Sequence, residues 1–188
     1  MTAIERQQAA RHRAIFLSDI YLGTRGCQAE KNVKAFLDLD LPGSKWVVGG
    51  GPQMKELQRR YKQARFFGSV DTEELARRYA QADCFVFPSR TDTFGLVMVE
   101  ALASGVPVAA YPVPGPLDVV TSSKVGALDD DLRAACLAAI ACDPADCRAH
   151  AETFTWVQCA RQFRDTLRPI PRGVWQPLKR RVVPNPAS

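Results

Sequence analysis

Long apolar runs are missing from this chain: no uninterrupted stretch approaches the ~20 residues needed to cross a bilayer, so a membrane-spanning helix is not expected. Histidine is scarce, with two in 188 residues, and the six cysteines (Cys27, Cys84, Cys136, Cys142, Cys147, Cys159) include no CxxC pair. That combination disfavours a structural zinc site and reads as reduced thiols scattered through helices and a strand. Nor is there a signal-peptide core. Met1 to Arg13 is polar and charged, and the apolar run Ala14 to Leu17 behind it is too short. A cytoplasmic location is the expectation. No internal repeat is visible.

An apolar fraction of 46% with 24% charged residues describes an ordinary globular protein large enough to bury one substantial core. The net charge of +5 suits anionic partners, which include nucleotides, phospholipid head groups and nucleic acid alike, and charge alone does not choose among them. Nucleic acid is not expected as a partner.

Short β-branched or aromatic runs alternate with amphipathic patterns, which predicts an α/β fold: a Rossmann-like parallel sheet with helices on both faces. Strands are expected at Ala14 to Ser18, Lys45 to Val48, Arg65 to Phe67, Cys84 to Phe87 and Pro107 to Ala110. Helices are expected at Lys31 to Leu39, Pro52 to Gln63, Thr72 to Gln81 and Phe94 to Ala103, with Pro52 in a first turn and Asp71 as an N-cap. After Val120 the sheet is expected to have ended, leaving helices at Asp129 to Ala141, Asp143 to Glu152 and Thr155 to Leu167. Residues 1–30 are expected to supply a first strand, 31–167 to form the ligand-binding domain, and 168–188, rich in proline and basic residues, to be an extended tail that contacts acidic lipid or is disordered.

A parallel sheet binds ligands beyond the carboxyl ends of its strands, which directs attention to the polar turn after Phe87-Pro88. The segment Ser89-Arg90-Thr91-Asp92-Thr93-Phe94-Gly95-Leu96 leads into a helix that carries Glu100. Backbone amides around Phe94, Gly95 and Leu96 would present an anion site suited to a diphosphate. Asp92 and Glu100, eight positions apart, span up to ~12 Å at helical rise and could hold hydroxyl-bearing groups on either side of it. On spacing alone, Asp92 could equally cap the helix and Glu100 be a solvated helical residue.

This segment resembles the motif of an acid, seven residues and a second acid found in retaining GT-B glycosyltransferases, the glycosyl transferases group 1 family. The resemblance extends from Glu30 to about Leu167. It takes in Glu30-Lys31-Asn32, Gly49-Gly50-Gly51-Pro52-Gln53, Phe67-Gly68, Glu73-Glu74-Leu75-Ala76, Ala82-Asp83-Cys84-Phe85-Val86-Phe87-Pro88-Ser89 and Glu100-Ala101-Leu102-Ala103-Ser104-Gly105-Val106-Pro107-Val108.

The resemblance implies one half of a GT-B fold binding a UDP- or GDP-linked sugar as substrate, with no cofactor and no metal. By position it assigns Glu100 to the ribose, Asp92 to the donor sugar, and Phe94, Gly95 and Leu96 to the phosphates. Lys31 and Arg25 are the candidates for neutralising the departing diphosphate, against a reading of both as solvated surface bases. The first acid is commonly glutamate in the family, so Asp92 has a shorter reach. The acceptor-binding half that precedes Glu30 in such enzymes is expected to be missing, to be supplied by a partner chain, or to leave a nucleotide-sugar-binding remnant without turnover.

Three further features compete for a function. Asp38-Leu39-Asp40 and Asp129-Asp130-Asp131 look like metal-binding clusters but read better as turn-forming and helix-starting acids. His150 has no evident partner and is expected at the surface. Ala14 to Glu30 resembles the opening of calcineurin-like metallophosphoesterases, especially those hydrolysing UDP-diacylglucosamine, with Tyr21 where that family places a histidine ligand. Without the family's downstream ligand motifs, a metal-dependent phosphoesterase is the least favoured reading, and Asp19 and Tyr21 are expected to be structural.

Overall fold

A computed structural model describes residues 13–17, 28–91 and 94–168. The described chain divides after Phe154 into two compact units. The first contains all six described strands: β1 (Arg13–Leu17), β2 (Ser44–Val48), β3 (Arg65–Gly68), β4 (Cys84–Phe87), β5 (Val108–Ala110) and β6 (Gly126–Leu128). Its helices are α1 (Gln28–Asp38), α2 (Met54–Arg60), α3 (Thr72–Ala80), α4 (Leu96–Ala103), α5 (Pro116–Val119), α6 (Leu132–Ala139) and α7 (Pro144–Ala151). The second unit, by itself, contains α8 (Trp156–Thr166), capped by the Thr155 hydroxyl, which accepts from the Gln158 amide at 3.1 Å.

The strands form one all-parallel sheet in the order β3-β2-β1-β4-β5-β6. This is the doubly wound order, and its direction of winding reverses between β1 and β4, where such sheets open a crevice at their carboxyl edge. At the opposite, amino edge β1 and β4 are joined beyond the ladder: the Asp83 carboxylate accepts from the Arg13 amide at 2.6 Å, and the Asp83 amide donates to the Arg13 carbonyl at 2.9 Å.

Alternation along the central strands fills both faces of the sheet. Phe85 and Phe87 of β4 join Trp46, Val108 and the α4 residues Met98, Ala101 and Leu102, and this face is covered by α3, α4, α5 and α7. Cys84 and Val86 point the other way, to Val33 and Phe36 of α1, Leu57 of α2, and Ala135 and Cys136 of α6. All four residues of β4 are buried. A fully buried leucine such as Leu102 typically contributes ~2–5 kcal/mol against truncation to alanine.

Several helix boundaries follow from caps, of which Asp71 is expected as one and Asp131 and Asp143 are expected only near helix starts. Asp71 accepts from the Glu74 amide at 2.8 Å, Asp131 from the Arg133 amide at 2.9 Å and Asp143 from the Ala145 amide at 2.8 Å. The expectation of a proline in the first turn of α2 is corrected. Pro52 lies in a preceding turn closed by the Met54 amide on the Gly51 carbonyl at 3.1 Å, and Gln53 is the N-cap residue.

The expected end of the sheet after Val120 is also corrected, by β6. A glycine stands there because it must: a Cβ at Gly126 would lie 2.2 Å from the Val108 carbonyl oxygen on β5. Three residues without a β-branched side chain leave no strand signal in sequence. Among the described residues no helix is long and apolar enough to cross a membrane.

Cys84, Cys136, Cys142, Cys147 and Cys159 are free thiols. Burial, with the nearby Cys142 and Asp146 adding to it, pushes the Cys147 thiol up to about 11 from 9.0. The unfolded thiol therefore ionises first. The stability associated with this group is fully present below pH ~9 and is lost as pH rises towards 11, by about 2 kcal/mol. Urea unfolding followed from pH 8 to pH 10.5 should show a decline that is shallower by that amount in Cys147→Ala; an unchanged slope in the variant would contradict the assignment.

Candidate functional site

β1 and β4, the two strands flanking the reversal, each deliver a predicted site segment to the carboxyl edge. After β1 the chain returns through α1, which must run from the carboxyl edge back to the amino edge so that β2 can pair in parallel with β1. Lys31 sits in the first turn of α1, exposed, next to Glu30, which pairs with Lys34 one turn on. After β4 the chain enters the turn that begins at Pro88. Lys31 and this turn thus follow adjacent strands and lie at the same edge of the sheet. Arg25 and Asp92 lie outside the described residues, as do Asp19 and Tyr21.

The turn after β4 is held by specific contacts. Ser89 Oγ accepts from the Thr91 amide at 3.4 Å. The guanidinium of Arg90 lies 3.6 Å from the centre of the Tyr111 ring, and its Nη1 is 3.4 Å from an Asp130 carboxylate oxygen. Tyr111 follows β5 and Asp130 follows β6, so one side chain ties together the carboxyl ends of three adjacent strands. Exposed ion pairs contribute little; the cation over the ring adds ~0.5–1 kcal/mol and fixes the loop's path.

At the far end of the turn, Gly95 is the N-cap residue of α4 with φ 73° and ψ 67°, a left-handed conformation. That shifts the helix start from the expected Phe94 to Leu96. Gly95 is also packed from below: a Cβ there would meet Met98 Cε at 2.7 Å and Phe87 Cζ at 3.2 Å. A helix start leaves its first backbone amides without intrahelical partners. Among the described residues no side chain caps them, and the first turn of α4 holds no acid. The amides and the positive end of the helix dipole therefore face the carboxyl edge, where an anion would satisfy both. Glu100 stands exposed one turn further along α4.

The same edge continues through the glycine loop after β2. The Gly49 amide donates to the Gly68 carbonyl at 2.8 Å, and a Cβ at Gly50 would lie 2.7 Å from Ser69 Oγ. The loops after β2 and β3 are thereby packed backbone to backbone beside the crevice.

The two acidic clusters occupy other places. Asp38 accepts from the Tyr61 hydroxyl at 2.8 Å at the carboxyl end of α1, on the sheet's amino edge. Lys45 donates there to the Leu37 carbonyl at 2.6 Å and to Leu39, and burial lowers its pKa against the opposing charges of Asp38 and Asp40. Asp131 caps α6 and Asp129 accepts from the Asp131 amide at 2.7 Å. Both clusters serve helix ends and turns. His150 departs from expectation: its Nε2 lies 2.8 Å from the Val119 carbonyl, and its ring packs on Phe154, which in turn packs on Phe94 of the turn. The four-residue spacing of His150 and Phe154 is a helical one, whereas the contacts with Val119 and Phe94 leave no signal in spacing.

Residues 30–143 match the profile of the family described as Glycosyl transferases group 1. The chain belongs to this family. Among curated relatives, a GDP-mannose-dependent alpha-mannosyltransferase of Corynebacterium glutamicum is 42% identical over 84 residues, covering 45% of this chain and 20% of the relative. A D-inositol 3-phosphate glycosyltransferase of Jonesia denitrificans is 35% identical over 139 residues, covering 62% of this chain and 33% of the relative. The solved lipopolysaccharide outer core galactosyltransferase in its apo form aligns with TM-score 0.67 at 14% identity, covering 82% of this chain and 48% of the other. That likeness concerns the fold, and it is the GT-B half expected from the sequence. The chain spans between a fifth and a half of the length of these proteins.

For the glycosyltransferase turn the geometry makes a stability prediction. Gly95→Ala forces an L residue into left-handed backbone against Phe87 and Met98, and should cost about 1–2 kcal/mol in urea unfolding. Gly50→Ala, which requires only the Ser69 hydroxyl to move, should cost less than half as much. Equal losses at the two positions would contradict the assigned role of the Gly95 conformation.

Proposed function

We propose that this domain binds the nucleoside-diphosphate-sugar donor of a glycosyltransferase in the crevice between β1 and β4, with the diphosphate on the amides of Phe94, Gly95 and Leu96. The observation that carries this reading is the left-handed Gly95 cap, which opens the start of α4 at the sheet's reversal point without an acid of its own to occupy it. Membership of the family supports it. The curated relatives include enzymes named for GDP-mannose, and the reading takes either UDP or GDP as the nucleotide.

In this proposal Glu100 accepts from the ribose hydroxyls and Asp92 from a hydroxyl of the sugar, so the two acids fix the donor at both ends. As the bond from the anomeric carbon to the diphosphate oxygen breaks, negative charge grows on the leaving diphosphate. Helix amides already aimed at that position stabilise the charge without reorganising, and Lys31 and Arg25 add cationic charge from the β1 side. Transfer proceeds with retention at the anomeric carbon and needs no metal for charge neutralisation. A second domain, supplied by a partner chain or further sequence, brings the acceptor. A domain that binds donor without turning it over is the alternative, and hydrolysis of donor sugar by the purified chain distinguishes the two.

Titration calorimetry with UDP and GDP tests the site. The chain should bind one of them, and Glu100→Ala should weaken that binding by about tenfold or more while leaving the fold intact, since a bond from a carboxylate to a ligand hydroxyl contributes ~1.5–3 kcal/mol. A chelator should leave the affinity unchanged. No heat with either nucleotide would overturn the proposal.

A further inference from the structure

The turn that contains the proposed phosphate amides is buttressed from outside the family's acid motif. Phe94 is 37% exposed and follows a polar loop, so neither burial nor a strand ladder holds its ring. Its ring stands edge to face on Phe154, with centroids 6.2 Å apart and planes at 63°. Phe154 stands in the same manner on His150, at 5.4 Å and 71°. His150 Nε2 ends the row 2.8 Å from the Val119 carbonyl, and because a carbonyl only accepts, Nε2 carries the proton and donates.

The far end of this row is fixed. Val119 is fully buried at the end of α5. His150 lies on α7, whose Cys147 and Ala151 are buried in the same core as Met98, Ala101 and Leu102 of α4. The chain leaving α7 is closed by the Thr153 amide and hydroxyl on the His150 carbonyl, at 3.0 and 2.7 Å, and by the Phe154 amide on Ala151 at 3.0 Å. α7 also meets the opposite end of α4, since a Cβ at Gly105 would lie 2.2 Å from Arg148 Nη1 and 3.3 Å from Pro144 Cβ. One helix therefore braces α4 at both ends, through Gly105 behind it and Phe154 in front.

We infer that Phe154 and His150 are positioning residues for the donor turn: the row from Val119 through His150 and Phe154 fixes the Phe94 ring, and with it the amides that flank Gly95. Neither residue touches the proposed ligand. Their effect is on how well the amides are held before a diphosphate arrives, and this rests on the donor-binding reading for its functional consequence but not for its structural one.

Amide hydrogen exchange of the intact chain reads the structural part without any ligand. In Phe154→Ala, exchange from Met98 to Glu100, where the first bonded amide of α4 is that of Met98 on the Gly95 carbonyl at 2.9 Å, should accelerate by about five- to tenfold, the loss of one aromatic pair, while β4 and β5 stay as protected as in the parent. Phe154→Tyr should restore the parent rate. His150→Ala should show the same local acceleration to a smaller degree, and His150→Gln, which keeps an N–H of similar reach to the Val119 carbonyl, should reverse most of it. Affinity for the nucleoside diphosphate should fall by a similar factor in Phe154→Ala, with affinity for the bare nucleoside unchanged.

Unchanged exchange at the start of α4 in both alanine variants would overturn the inference, and so would acceleration shared equally by β4 and β5. Should Phe154→Ala fail to fold, His150→Ala against His150→Gln decides alone. If the parent binds neither UDP nor GDP, the donor-binding reading falls and the exchange comparison still decides the positioning role.

Discussion

Burial of β4 on both faces is the constraint from which the rest of the site follows. Cys84 and Val86 are sealed by α1 and α6, and Phe85 and Phe87 by α3 and α4, so the strand cannot shift register without moving side chains into the wrong core. At its carboxyl end Pro88 offers no amide to extend the ladder. The chain leaves the sheet there, next to the reversal between β1 and β4. Phe87 also lies under Gly95, within 3.2 Å of where a Cβ would stand, so the strand's last side chain sets the height at which α4 begins.

Loops on either side are then locked to that starting point. Arg90 reaches back over Tyr111 to Asp130 and ties the turn to β5 and β6. Phe94 leans on Phe154 and fixes the turn's other end to α7. Both anchors, Arg90 and Phe94, lie outside the helix itself and precede it in sequence. Such an arrangement suits a site that must meet a charged group with prearranged amides, since reorganisation during charge development would forfeit much of the benefit.

How much of this was legible in the sequence depends on the range of the interaction concerned. Strands β2 to β5 announced themselves because buried parallel strands read as short apolar runs. The cap Asp71 was visible because capping is a contact between residues two or three apart, and Asp131 and Asp143 were visible as acids at helix starts for the same reason. β6 was not visible, for its reason lies across the sheet at the Val108 carbonyl. Pro52 misled because a proline before an amphipathic run fits a first turn, whereas the positive φ of Gly51 places a separate turn there. The turn after β4 and Glu100 were singled out through a linear motif. The role of His150 escaped the same reading, since Val119 is 31 positions away and Phe94, which it reaches only through Phe154, is 56 away.

That division has a physical basis in what each part of the site must do. Groups meeting a ligand directly are spaced by the ligand's own dimensions, and on a single turn and helix this becomes a fixed spacing along the chain. Groups that hold the turn in place have no such ruler, because any side chain of the right size on any element that reaches Phe94 would serve. Phe154 can do so only because α7 packs against α4 from Gly105 forward, which is a property of the core and of no local sequence. The residues that determine how sharply the amides around Gly95 are aimed are therefore set by packing between α4 and α7, while those that determine what the amides face are set by the turn itself.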